Sequence, residues 1–172
     1  QGAGAAIERR GGRTIAKIPN SLVETALAST PESVTYFGRD PAHDYNVRPG
    51  KSVSFTPFGE CIQIIDPQTR QVRSVTKKDL GQAARVCDSR DQIVVLEKPV
   101  GSLDQTPGCH HLHNFHALAS NTAKHFFMGF GHSDTAAKII EMAAVCCGGR
   151  DELRRRPIVT GHACPTSPLH LD

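Results

Sequence analysis

The densest run of side chains able to do chemistry is "CHHLHNFH", Cys109 to His116. If a helix began at Cys109, then Cys109, His113 and His116 would stand at i, i+4 and i+7, on one face. A thiolate and two imidazoles so placed are zinc ligands by type. The turn residues Thr106-Pro107-Gly108 just before them argue the other way. They would hold Cys109 in the turn, off that face, and leave the imidazoles to solvent or backbone carbonyls. A second pairing joins His162 and Cys164, two residues apart and so on one side of an extended segment. It lacks a third group to orient the imidazole and reads as ordinary loop chemistry. Glu60 and Glu97 each follow an apolar run, where a carboxylate can serve as acid, base or cation partner. Arg154-Arg155-Arg156 reads as a solvated stretch before a strand rather than an anion site.

The elements that carry these residues follow from periodicity. Near the start, Ser21-x-x-Glu24 has the form of a capping box. Leu22, Val23, Ala26 and Leu27 give the apolar stripe of the helix behind it. Ser33 to Phe37 is rich in β-formers, and Gly38-Arg39-Asp40-Pro41 ends it. Ser52 to Thr56 reads as a strand. Cys61–Ile65 and Val72–Val75 flank "DPQTRQ" as a hairpin. Thr76-x-x-Asp79 then caps a helix with Leu80, Ala83, Ala84 and Cys87 at helical spacing. Ile93 to Leu96 is a continuous apolar run, as in a strand covered on both faces. His111 to Lys124 is helical, His125 to Phe130 a strand, and Ser133 opens a third helix that Gly148-Gly149 closes. Pro157 to Thr160 is the last strand. The order α-β-α-β-α-β implies right-handed crossovers and a parallel sheet.

Glycine- and proline-rich loops follow these strands, where α/β proteins place their sites. None has the spacing of a phosphate loop, and Gly129-Phe130-Gly131 is only a weak glycine pattern. Such βα units suit either an open sheet or part of a (β/α)8 barrel, which needs about 250 residues.

Composition narrows the partners. With 38% hydrophobic and 22% charged residues among 172, the chain is of the globular class. A net charge of +3, no Trp and only two Tyr argue against nucleic acid. No apolar run approaches the roughly 18 residues of a membrane span. The start "QGAGAAIERRGG" has neither a secretory pattern nor a Met, so the natural start is expected to lie upstream. The six cysteines are irregularly spaced and read as reduced, mostly packed thiols of a cytoplasmic protein. Adjacent Cys146-Cys147 reads as two small core residues rather than a redox pair.

Five stretches in order resemble the trimethylamine methyltransferase family, which also includes glycine betaine methyltransferases. They are "IPNSLVETALASTPESVTYFGRDP", "IIDPQTRQVRSVTKKDL", "HALASNTAKH", "IIEMAAVCCGGRDELRRRP" and "CPTSPLHLD". The resemblance covers nearly the whole chain. It implies an α/β fold, part of a (β/α)8 TIM barrel: residues 1–50 as a small α+β lead-in and 51–172 as the barrel's first half. It implies methyl transfer from a quaternary or tertiary methylamine to a corrinoid, cob(I)alamin, carried by a separate partner protein. Self-association into a homo-oligomer is left open. Aromatic faces and carboxylates hold a methylated ammonium. Phe58, Glu60, Glu97 and Phe130 at strand ends are therefore the candidate substrate-binding residues, with Thr166 and Ser167 as hydrogen-bond donors. No metal ligand is expected. A non-catalytic half-barrel or a zinc module on Cys109, His113 and His116 are the alternatives.

Overall fold

Nine short strands and five helices arise from these segments in the computed structural model, which describes residues 4–51 and 53–162. The chain divides into two compact units, the first ending at Val34 and the second starting at Thr35.

In the first unit, β1 (Ala6–Arg10) and β2 (Arg13–Lys17) pair antiparallel, with Arg10 opposite Arg13. The two intervening glycines, Gly11 and Gly12, both have positive φ, 56° and 76°. A two-residue hairpin needs that geometry because its turn must match the right-handed twist of the strands. Helix α1 (Asn20–Ala28) begins one residue before the expected capping box, and no side chain caps it. Pro19 sits at the cap position instead, where its carbonyl accepts from Leu22 and Val23. Pro suits a helix start because its fixed φ costs nothing there.

In the second unit the predicted alternation is present. Helix α2 (Lys77–Asp88), β7 (Val95–Glu97), α3 (His110–Ala119), β8 (His125–Gly129), α4 (Ser133–Cys147), α5 (Arg150–Arg155) and β9 (Val159–His162) follow one another. Strands β7, β8 and β9 form a parallel sheet in that order. Of the expected strand Ser52–Thr56, only an isolated parallel bridge from Phe55 to Ile93 is found, and Ser52 lies outside the described residues. Phe55 N–H donates to the Gln92 carbonyl at 2.9 Å. Thr56 Oγ1 accepts from Glu97 N–H at 3.0 Å, so side-chain bonding replaces a regular ladder here.

One further boundary differs from expectation. Helix α3 stops at Ala119 rather than Lys124. The Arg39 guanidinium donates to the Ala119 carbonyl, and Asn121 Nδ2 to that of Ala117, so polar side chains satisfy the carbonyls a longer helix would have used. Arg154 and Arg155 are exposed before β9, as expected of a solvated stretch, and they end the short helix α5, which the sequence reading did not include. Acidic Asp151 and Glu152 in its first turn and arginines in its last complement the helix dipole.

One face of the sheet is covered. Leu96, Phe126, Met128 and Ile158 meet Leu80, Ala84, Phe115, Leu118, Ile139 and Ala143 of α2, α3 and α4 in one buried cluster. Gly148 ends α4 at φ 84°, and Gly149 N–H returns to the Ala144 carbonyl at 2.8 Å, a Schellman closure that only glycine adopts without strain.

The hairpin of β5 (Gln63–Ile65) and β6 (Val72–Ser74) is tied to α2 by charge. Arg73 donates to Asp66 Oδ2 at 2.9 Å and to both oxygens of buried Asp79 at 2.7 and 2.9 Å. Asp79 also accepts from the backbone and hydroxyl of Thr76, completing the capping box read from the sequence. The Arg73 guanidinium, then the Thr76 donors, hold the Asp79 carboxyl well below the usual carboxylate range. A carboxylate with a depressed folded pKa contributes stability that is full above its unfolded value near pH 4 and is lost as pH falls below it. Asp79→Ala removes a cap and several charge-assisted bonds. Urea unfolding should show a loss of about 2–3 kcal/mol at pH 7 that shrinks below pH 4.

Candidate functional site

The sheet face opposite the helices is set by strand alternation. In β8, Phe126 and Met128 face the core, so His125, Phe127 and Gly129 face the other way. Parallel register places Glu97 of β7 beside Phe127, and His162 of β9 beside Gly129. Glu97 and His162 reach each other across β8, with Oε1 to Nδ1 at 3.2 Å. The Tyr36 ring stands edge-on to Phe127 with centroids 5.1 Å apart.

Lower on this face, His125 is buried and held at both nitrogens. Nδ1 lies 3.1 Å from the Phe37 carbonyl and Nε2 2.8 Å from Thr160 Oγ1. The carbonyl can only accept, so Nδ1 carries the proton and the threonine hydroxyl donates to Nε2. Burial is the main cause holding its pKa below the ordinary imidazole value. Next to it opens a cleft of about 400 Å³ lined by Tyr36, Tyr45, Phe55, Val95 and Phe127 among others. Lys51 Nζ stands 4.1 Å from the centre of the Tyr45 ring, so a cation already rests on one of these aromatic faces.

Around the rim, Lys98 is buried and paired with Glu60 at 2.5 Å. Gly101 makes room for this pair, since a Cβ there would come within 2.7 Å of Glu60 Oε1. His111 reaches over Gly131, where a Cβ would meet its ring at 2.8 Å. Burial, then the charges of His110 and Lys98, push the His111 pKa down, and its Nδ1 is buried without a hydrogen-bond partner among the described residues.

The candidate residues therefore separate. Glu97 lies on the open face with aromatic neighbours. Glu60 sits in the adjoining ion pair. Phe58 is 90% exposed, in the irregular segment before Glu60. The Phe130 ring packs against the helical core and over Gly161, where a Cβ would strike it at 2.7 Å. That places it on the covered side, away from Glu97. Thr166, Ser167 and Cys164 lie outside the described residues. Sequence reasoning overlooked Phe127, Tyr36 and the link between His162 and Glu97. Alternation along "HFFMG" was the available signal for Phe127. No local signal joins Glu97 to His162, since 65 residues separate their positions.

The zinc arrangement does not form. Cys109 stays in the turn as the cap residue before His110, and His113 Nδ1 lies 3.0 Å from Lys77 Nζ. Among the described residues no three His, Cys, Asp or Glu side chains converge as metal ligands. Of the five described cysteines, Cys87 is buried and Cys146 and Cys147 half-buried. Cys61 and Cys109 are exposed, because both fall in irregular connections rather than on core-facing positions. No described helix is long and apolar enough to cross a membrane.

Comparison with known proteins gives a consistent result. The sequence model of the family described as "Trimethylamine methyltransferase (MTTB)" matches residues 1–172. The chain is 40% identical over 157 residues to trimethylamine methyltransferase MttB of Desulfitobacterium hafniense, covering 91% of this chain and 32% of that protein. It is 31% identical over 165 residues to MttB of Methanosarcina barkeri, with 91% and 32% covered. It is 23% identical over 156 residues to a glycine betaine methyltransferase of another D. hafniense strain, with 90% and 32% covered. The chain thus spans about a third of the length of these relatives.

The buried imidazole predicts a pH dependence. A histidine with a depressed folded pKa contributes stability that is full above its unfolded value near 6.5 and is lost as pH falls from there toward the folded value. The urea midpoint should therefore drop between pH 7.5 and 5, a window above the carboxylate range. His125→Gln should flatten that slope, and an unchanged slope would assign it elsewhere.

Proposed function

The chain belongs to the trimethylamine methyltransferase family, and on that premise we propose that it is the N-terminal part of a (β/α)8 barrel that moves a methyl group from a tertiary or quaternary methylamine to cob(I)alamin on a corrinoid partner protein. The supporting observation is Glu97: a carboxylate at the C-terminal end of a parallel strand, beside Phe127, on the face that the helices leave open. In (β/α)8 enzymes that end of the strands carries the site. A methylated ammonium is drawn both to a carboxylate and to aromatic faces, and the gain is larger where water is excluded.

In this reading the corrinoid supplies the nucleophile, and the residues of this chain bind and aim the amine. Glu97 offsets its positive charge, and Phe127 with Tyr36 offers ring faces and edges that accept methyl groups. Holding the nitrogen–methyl bond in one direction turns an encounter into an oriented reaction. Phe58, Glu60, Thr166 and Ser167 remain candidates for the surrounding rim, and Phe130 supports it from behind. The Glu60–Lys98 pair stiffens the loop after β7. The reaction fits the cytoplasm, where the thiols stay reduced.

The test uses the full-length protein with methylated amine, corrinoid protein and reductant, and follows the absorbance of the corrinoid. Transfer by the full-length protein and none by residues 1–172 alone is expected, because the barrel needs strands from both halves. Glu97→Gln in the full-length protein should lower kcat/KM about tenfold or more, the worth of one charge-assisted contact. Turnover by this chain alone would refute the partial-barrel reading. Absence of transfer from every methylated amine tried would refute the function.

A further inference from the structure

We infer that His162, held by Glu97, is the residue that distinguishes a protonated tertiary methylammonium from a quaternary one, by accepting a hydrogen bond from its single N–H. The inference rests on the function proposed above and deepens it.

The geometry runs from the backbone upward. Strand β8 lies between β7 and β9, so the contact between Glu97 and His162 spans it. The residue paired with His162 is Gly129. A Cβ built there would stand 3.7 Å from His162 Nε2 and 3.9 Å from His111 Cε1. Glycine therefore leaves a bare strip of backbone with an imidazole on either side. The Glu97 carboxylate reaches Nδ1 at 3.2 Å over this strip. A carboxylate only accepts, so the ring donates from Nδ1, and in its neutral form Nε2 carries the lone pair. Phe127 lies two residues before Gly129 on the same face, beside Glu97.

These groups have different uses for the two kinds of amine. A trialkylamine, like a lysine amine, is protonated near neutral pH and carries one N–H. A quaternary ammonium carries the same charge and a similar shape but no donor. Glu97 and Phe127 attract both through charge and ring face. Only Nε2 tells them apart, since it can accept from the one N–H of the first ion and finds no donor on the second. The hydrogen bond also fixes which way the three methyl groups point.

The experiment is calorimetric titration of the full-length protein with trimethylammonium and with tetramethylammonium, so that no turnover is required. The wild type should bind trimethylammonium at least about tenfold more tightly, the selectivity of one hydrogen bond to a charged donor. His162→Leu should bring the ratio of the two Kd values toward one, chiefly by weakening trimethylammonium. His162→Gln, which keeps an acceptor, should restore part of the ratio and controls for misfolding. Glu97→Gln should weaken both ions. A wild-type ratio near one, or a ratio unchanged in His162→Leu, overturns the role given to His162. Selective binding of trimethylammonium without methyl transfer by the full-length protein would instead refute the functional reading while leaving the recognition in place.

Discussion

Parallel register across three strands is the constraint on which the rest depends. Because β8 sits between β7 and β9, Glu97 and His162 can meet only by crossing it, and they do so beside Gly129, the residue paired with His162. Shift β8 by one residue and Met128 would turn to the open face while Phe127 would turn to the core. The buried cluster of Phe126, Met128, Leu96 and Ile158 resists that shift, because it would expose apolar surface along the whole strand. The packing of one face thus fixes the chemistry presented by the other.

The residues that carry the family resemblance are mostly not in the site. In "YFGRDP", Arg39 donates to the Ala119 carbonyl, Asp40 caps the short 3-10 turn Pro41–His43, and Asp44 receives both nitrogens of Arg156. Gly38 fits because a Cβ there would come within 2.7 Å of the Asp40 carbonyl and 2.9 Å of that of Ala123. In "NTAKH", Thr122 and the Ala123 N–H bond Asp88, and buried Lys124 donates to the Cys87 and Arg90 carbonyls. Arg156 also lies over the Phe37 ring. Each satisfies a backbone group at the end of a helix or strand that would otherwise be buried without a partner. Such positions are set by the fold's own hydrogen bonds, so they make recognisable strings.

The open face joins two kinds of recognition. Near the strand starts, Tyr36, Tyr45 and Phe127 border an aromatic cleft with Lys51 resting on one ring. Near the strand ends, Glu97 and His162 add a carboxylate and an imidazole.

The sequence alone determined the alternation of helix and strand from α2 to β9, apart from the short α5, with the Thr76–Asp79 cap, the Gly148 closure and Glu97 as a candidate. These are local: periodicity, cap chemistry and strand ends lie within a few residues of one another. It did not determine the two-glycine hairpin at the start, nor that α3 would stop at Ala119, where long-range bonds from Arg39 compete with helix propagation. It proposed Phe130 as a site aromatic, but tertiary packing turned that ring toward the core and gave the open face to Phe127. Nor could it join Glu97 to His162, although the turn before Cys109 did tell it apart from the helical His113. Those outcomes depend on strand register and on which partner a side chain finds across the fold, and neither is written in the spacing of neighbouring residues.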